Sequence, residues 1–111
     1  MKKRLVWHVT NIGNLRSIER EGLSWRYARG ATPCVWFAAY GMLPWAFGHV
    51  RYNHGWYDND LLGLQLCVPA DLLIATSSRS IYKGVVKEDY PWSMVRDSLS
   101  YIRMASKHRD K

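Results

Sequence analysis

Apolar and polar positions divide this chain into short blocks, some alternating and some recurring at helical spacing. Leu5 to Val9 mixes β-branched and aromatic residues behind a basic lead-in, which predicts a first strand. Asn11 stands where a helix cap belongs, and Ile12, Leu15 and Ile18 then fall on one helical face. Gly22 supplies a left-handed stop, with Leu23 folding back as its apolar partner. Ser24 to Pro33 is polar and basic and contains Gly30, so it predicts a loop carrying Arg26 and Arg29. Cys34-Val35-Trp36-Phe37-Ala38 is a continuous apolar run and predicts a buried strand. Pro44 suits the first turn of a second helix, running through Trp45, Ala46, Phe47, Val50 and Arg51 and ending before Gly55.

Trp56 to Asp60 predicts a turn with an acidic tip, and Leu61 to Val68 a strand closed by Pro69. Ala70 to Leu73 predicts a short helical turn, and Ile81 to Val86 a strand within an antiparallel pair. Pro91 opens a final helix with Trp92, Val95, Leu99 and Ile102 on one face. Short strands mixed with helices in the order β-α-β-α-β-β-α indicate an α+β domain rather than a doubly wound parallel sheet. With 111 residues and no linker, repeat or low-complexity segment, residues 1–111 read as one small domain. A basic, flexible C-terminal tail is expected from about residue 105.

Composition sharpens this picture at two points. Six Trp and seven Tyr against two Phe favour rings with a polar tip, suited to a core that meets a ligand groove or a partner. A formal charge of +7 favours an anionic partner: nucleic acid, nucleotide or an acidic protein. Lys2, Lys3, Lys107, Arg109 and Lys111 lie at the chain ends, however, and the other bases are scattered. Two cysteines, Cys34 and Cys67, make neither a disulfide framework nor a metal set, and each sits in an apolar run as a small buried hydrophobe. The basic start is interrupted by His8, Thr10 and Asn11 before any signal-like apolar core, and no stretch is long enough to span a membrane. A cytoplasmic, soluble protein of a reducing compartment is the expectation.

Most standard chemistries find no support. His49 and His54 are five apart with no third ligand at metal spacing. Neither cysteine stands in an electropositive loop, no Gly-x-Ser-x-Gly occurs, and no Gly-rich phosphate loop is present. The carboxylate pairs Glu88-Asp89 and Asp58/Asp60 lie in turn-like sequence. Trp7-His8-Val9-Thr10 stands out instead, because a strand-end histidine beside a hydroxyl offers directional hydrogen bonds to a ribose or another hydroxyl-rich ligand.

Three segments in this order resemble the ADP-ribosyltransferase-like superfamily: His8-Val9-Thr10, Asn14-Leu15-Arg16-Ser17-Ile18 with Gly22-Leu23, and Val35-Trp36-Phe37-Ala38. They correspond to a first strand ending His-x-Thr, a helix of pattern Asn-x-x-x-Ile-x-x-x-Gly-Leu, and a strand like Val/Ile-Tyr-Phe-Ala, and they cover mainly residues 5–40. The later strands, Leu62 to Pro69 and Gly84-Val85-Val86, resemble those of the RNA 2′-phosphotransferase branch.

The resemblance implies two short antiparallel sheets forming a cleft with flanking helices, and NAD as cofactor. It implies that His8 and Thr10 hold ribose, that Trp36 replaces the tyrosine which stacks on nicotinamide in the polymerase branch, and that Tyr40 adds a second ring. The transferase branch carries a glutamate on a late strand. Lys83 stands near that place, which leaves Glu88 as the nearest candidate catalytic carboxylate beside His8. The phosphotransferase branch uses bases instead, for which Arg51, Arg79 and Lys83 are the counterparts as acceptor or phosphate contacts.

Two readings therefore stand side by side. One is an NAD-binding ADP-ribosyltransferase-like protein, a transferase or NAD glycohydrolase acting toward a nucleic-acid or protein acceptor. The other is a small, basic, non-enzymatic module that grips nucleic acid or a host protein. Taken singly, a strand-end His also fits a structural role, and the Asn-to-Gly-Leu helix fits ordinary capping.

Overall fold

A computed structural model describes residues 2–109 of the chain. Strand β1 (Lys3–Asn11) leads into a 3-10 turn (Ile12–Asn14) and helix α1 (Leu15–Glu21). Asn11 caps that turn, its side-chain oxygen accepting from the Gly13 N–H at 2.7 Å. Helix α1 ends at Gly22, whose N–H reaches the Ile18 carbonyl and whose positive φ of 77° then turns the chain away from the helix. Strand β2 (Trp36–Ala38) and helix α2 (Leu43–His54) follow, and left-handed Gly55 ends the helix with an N–H to the Arg51 carbonyl. Then come β3 (Leu61–Pro69), β4 (Leu73–Ala75), β5 (Ile81–Gly84), β6 (Val95–Ser100) and α3 (Tyr101–Arg109). Residues 105–109 of the expected tail are thus helical, while Asp110 and Lys111 lie outside the described residues.

The strands form one six-stranded antiparallel sheet, in the order β4-β5-β2-β1-β3-β6. This corrects the expectation of two short sheets. Its physical origin is the long β1, which pairs along its whole length with β3, from Lys3↔Pro69 to Asn11↔Leu61, and also reaches β2. The junction with β2 is narrow: Trp7↔Ala38 is the one residue pair that joins them. A seam therefore runs between β4-β5-β2 and β1-β3-β6.

Side-chain alternation along β1 and β3 sends apolar groups to both faces. Val6, Phe37, Leu62, Leu64, Leu66 and Val68 pack with Ile18 of α1, Leu23 and Tyr90 on one face. Trp7, Val9 and Leu61 pack with Leu43 and Phe47 of α2 and Met104 of α3 on the other. Gly63 opens the second face, because a Cβ there would stand 3.3 Å from the Phe47 ring and 3.4 Å from Leu43. Cys34 is buried as expected, whereas Cys67 is half-buried.

The predicted helix from Pro91 is also corrected. Trp92–Met94 is a 3-10 turn, and Val95–Ser100 is an edge strand on β3. The misleading signal is the four-residue gap between Val95 and Leu99. In the strand Val95 opposes Leu66 and Leu99 opposes Gly63, with Arg96 as an extra residue opposite the Gln65/Leu66 step. That bulge turns Val95 to the α1 side and Leu99 to the α2 side, which imitates helical spacing. Strand β4 was not foreseen; it follows the expected turn at Ala70–Leu72 and pairs with β5.

Candidate functional site

The seam between β1 and β2 is where the chain opens. Past Trp7↔Ala38 the ladder gives way to a side-chain bond: His8 Nδ1 donates to the Trp36 carbonyl at 2.8 Å. A carbonyl can only accept, so Nδ1 carries the hydrogen and Nε2 of the neutral ring is left as the acceptor. Burial pushes the His8 imidazole below its ordinary value, against the opposing pull of the Trp36 hydrogen bond. The ring sits edge-on to Phe37, with centroids 6.0 Å apart.

Two cavities of about 330 Å³ and about 630 Å³ flank this point. His8, Val9, Arg29, Gly30, Trp36 and His54 line both, so the two are halves of one groove divided at Trp36. The first half adds Thr10 and Asn14, and its one lining carboxylate is Glu21 at the end of α1. Thr10 is buried, and its hydroxyl accepts from Asn14 Nδ2 at 3.2 Å, keeping its own hydrogen for another acceptor. The second half adds Ala38, Trp45, Ala46, His49 and Ile81 and is the more apolar.

Of the residues singled out in the sequence, His8, Thr10 and Trp36 come together in the groove. Tyr40 does not line it; its ring stands 5.9 Å from that of Trp7. Glu88 lies in the turn after β5, where its N–H meets the Val85 carbonyl at 3.1 Å, outside both halves. Arg51 is engaged by Asp58 at 2.9 Å. Arg79 is exposed in the loop before β5, and Lys83 pairs across the sheet with Trp36; neither lines the groove.

Several lining groups were not singled out as ligand contacts. Trp45 and His49 stack with centroids 4.8 Å apart and planes at 17°, and Asn53 Nδ2 lies 2.9 Å from His49 Nε2. Their spacing of four along one helix was visible in the sequence. His54 stacks on Trp56 at 4.1 Å and 13°. Its Nδ1 is the one buried side-chain nitrogen or oxygen among the described residues without a hydrogen-bond partner. Burial, with the nearby Arg29 and His49 charges adding to it, holds the His54 imidazole below its usual value. Arg29 is exposed at the groove and makes no ion pair among the described residues, where the two pairs are Arg26–Asp89 and Arg51–Asp58.

Among the described residues no helix is long and apolar enough to cross a membrane. No family model, curated protein or solved structure matches the chain.

Proposed function

We propose that this protein binds NAD or a related ADP-ribosyl nucleotide in the groove at the β1/β2 seam. The observation that carries the reading is the pairing of His8 and Trp36 on one groove, with the His8 tautomer set by the Trp36 carbonyl. Nε2 is then an acceptor for a ribose hydroxyl, the Thr10 hydroxyl a second polar contact, and the exposed Trp36 indole a platform for a planar ring. A groove of mostly apolar lining with a few convergent polar groups is the usual form of a small-molecule site.

Transfer of ADP-ribose is the second layer of the proposal. The bond between ribose C1′ and the nicotinamide nitrogen breaks, nicotinamide leaves with the electron pair, and an acceptor nucleophile bonds to C1′ as it loses its proton. The ribose carries positive charge on the way, which a facing carboxylate stabilises. Glu21 is the carboxylate that lines the groove, so it takes the place first assigned to Glu88.

Titration with NAD tests the binding layer: it should quench tryptophan fluorescence through Trp36, and no quenching at about millimolar NAD, a weak-binding limit, would sink the reading. Labelled NAD with nucleic-acid and protein acceptors tests the transfer layer, with Glu21→Gln abolishing and Glu88→Gln sparing any turnover.

A second reading, nucleic-acid binding without catalysis, is favoured by one observation. Tyr27, Trp45, Tyr52 and Tyr57 are 74%, 50%, 88% and 80% exposed on a chain of charge +7. Exposed rings and excess positive charge suit stacking on single-stranded bases. Such binding would weaken steeply with salt and survive His8→Ala.

A further inference from the structure

We propose that Arg29 and His54 form a phosphate-binding point at the middle of the groove, taking the diphosphate of a nucleotide whose ribose lies against His8. This rests on the nucleotide reading above and assigns the polar centre that the reading leaves open. Both residues line both halves, so a linear ligand with a ring in each half would place its linking phosphates beside them. Arg29 is exposed and without an ion pair among the described residues, and its planar fork can donate to two phosphate oxygens at once. Gly30 next to it has open space where a Cβ would be, so the loop backbone there does not crowd an approaching ligand.

His54 contributes an imidazole that lines both halves. Its ring is held flat against Trp56, and its buried Nδ1 has no partner among the described residues. A buried polar nitrogen left unpaired is costly, and a turn of the ring that brings Nδ1 from its closed position to an anion oxygen in the groove removes that cost. The charged and titratable groups around His54 are Arg29 from the loop, His49 from its own helix, His8 from β1 and Glu21 from the end of α1. Burial first, and the Arg29 and His49 charges after it, oppose a positive charge on His54. A bound diphosphate reverses that balance, so binding draws a proton onto the ring. The carbonyl end of α2 disfavours an anion, but more weakly than charge-assisted hydrogen bonds favour it.

Calorimetry with ADP-ribose, adenosine and inorganic diphosphate on the full chain, between pH about 5 and 8 where histidine titrates, provides the test. ADP-ribose should bind about tenfold or more tightly than adenosine, more so as pH falls, with proton uptake that scales with buffer ionisation heat. Arg29→Gln, a change at an exposed side chain, should erase the gap between the two ligands without weakening adenosine. His54→Gln should abolish the proton uptake. Equal affinity for ADP-ribose and adenosine would overturn the phosphate point while leaving the groove reading intact. Binding of neither would overturn both. A short thymidine oligonucleotide displacing inorganic diphosphate in an Arg29-dependent way, with ADP-ribose unable to do so, would assign the phosphate contact to nucleic acid and overturn the nucleotide proposal.

Discussion

Replacing His8 separates two roles that its two nitrogens play. Nδ1 donates to the Trp36 carbonyl at 2.8 Å and so fixes the peptide directly after the Trp36 indole on the groove wall. Nε2 is the acceptor proposed for a ribose hydroxyl. Each neutral hydrogen bond is worth roughly 1 kcal/mol net. His8→Ala removes both, so NAD affinity should fall by about 2 kcal/mol, or about thirtyfold in Kd. Asparagine carries a donor near the position of Nδ1 but reaches no atom to that of Nε2. His8→Asn should therefore lose only the ligand bond, about 1 kcal/mol or roughly fivefold in Kd. Tryptophan-fluorescence titration with NAD reads both values, and a denaturant melt of each variant confirms that the fold survives. Kd unchanged within about twofold in both variants would refute the assignment of the groove. Equal large losses in both would refute the idea that the Trp36 carbonyl bond matters to the ligand.

Four further outcomes follow from the same geometry. Tyr90 is fully buried, its hydroxyl donating to the Leu72 carbonyl at 2.7 Å and accepting from the Val85 N–H at 3.2 Å. Tyr90→Phe leaves the Val85 N–H and the Leu72 carbonyl only their long mutual contact at 3.4 Å and should cost about 1–3 kcal/mol in denaturant unfolding; an unchanged midpoint would argue against the bonds. The same burial pushes Tyr90 ionisation up to about 12, so absorbance titration should show one tyrosine ionising last of the seven. Gly22→Ala places a Cβ against the Tyr90 carbonyl oxygen and 2.9 Å from Pro91 Cα at a φ of 77°, which should cost about 1–3 kcal/mol or more of stability. Finally, His8 and His54 both have folded values below the ordinary 6.5. Below that pH the unfolded chain takes protons first, so stability is full above about 6.5 and falls as pH drops toward the folded values. His8→Asn should flatten part of that acid limb in thermal melts across pH, and an unaltered limb would exclude His8 as its source.

How far the amino-acid pattern revealed this molecule depends on whether each signal was local. The Gly22 and Gly55 helix ends and the Pro44 helix start are set by neighbours within a turn and appear where the spacing put them. Gly22 at φ 77° and ψ −175° is nonetheless extended rather than left-handed helical, and Asn11 caps a 3-10 turn ahead of the helix rather than the helix itself. The Val95–Ser100 strand was misread because its apolar spacing comes from a bulge against β3, about thirty positions away in sequence. The groove divides in the same manner. His8, Thr10 and Trp36 stood out from the order of strand and helix segments. Arg29 and His54 did not, because a loop arginine and a helix-end histidine acquire meaning only once the chain folds them onto the groove that Trp36 lines.

The seam explains why these groups gather at one place. On its β3 side β1 is paired from end to end, but on its β2 side the ladder stops at Trp7↔Ala38. Had β2 continued in register, Val9 would stand opposite Trp36, and backbone N–H and C=O groups would be consumed in the ladder. The His8 imidazole instead takes the Trp36 carbonyl, satisfying it while holding the two strands apart. The hydrogen bond that ends the sheet is thus the one that forms the groove wall. A chain change that zips β1 onto β2 beyond this point would add strand pairing and close the groove in the same step. Under the proposed nucleotide binding, stability and ligand affinity are opposed at His8, and a variant there can gain in one while losing the other.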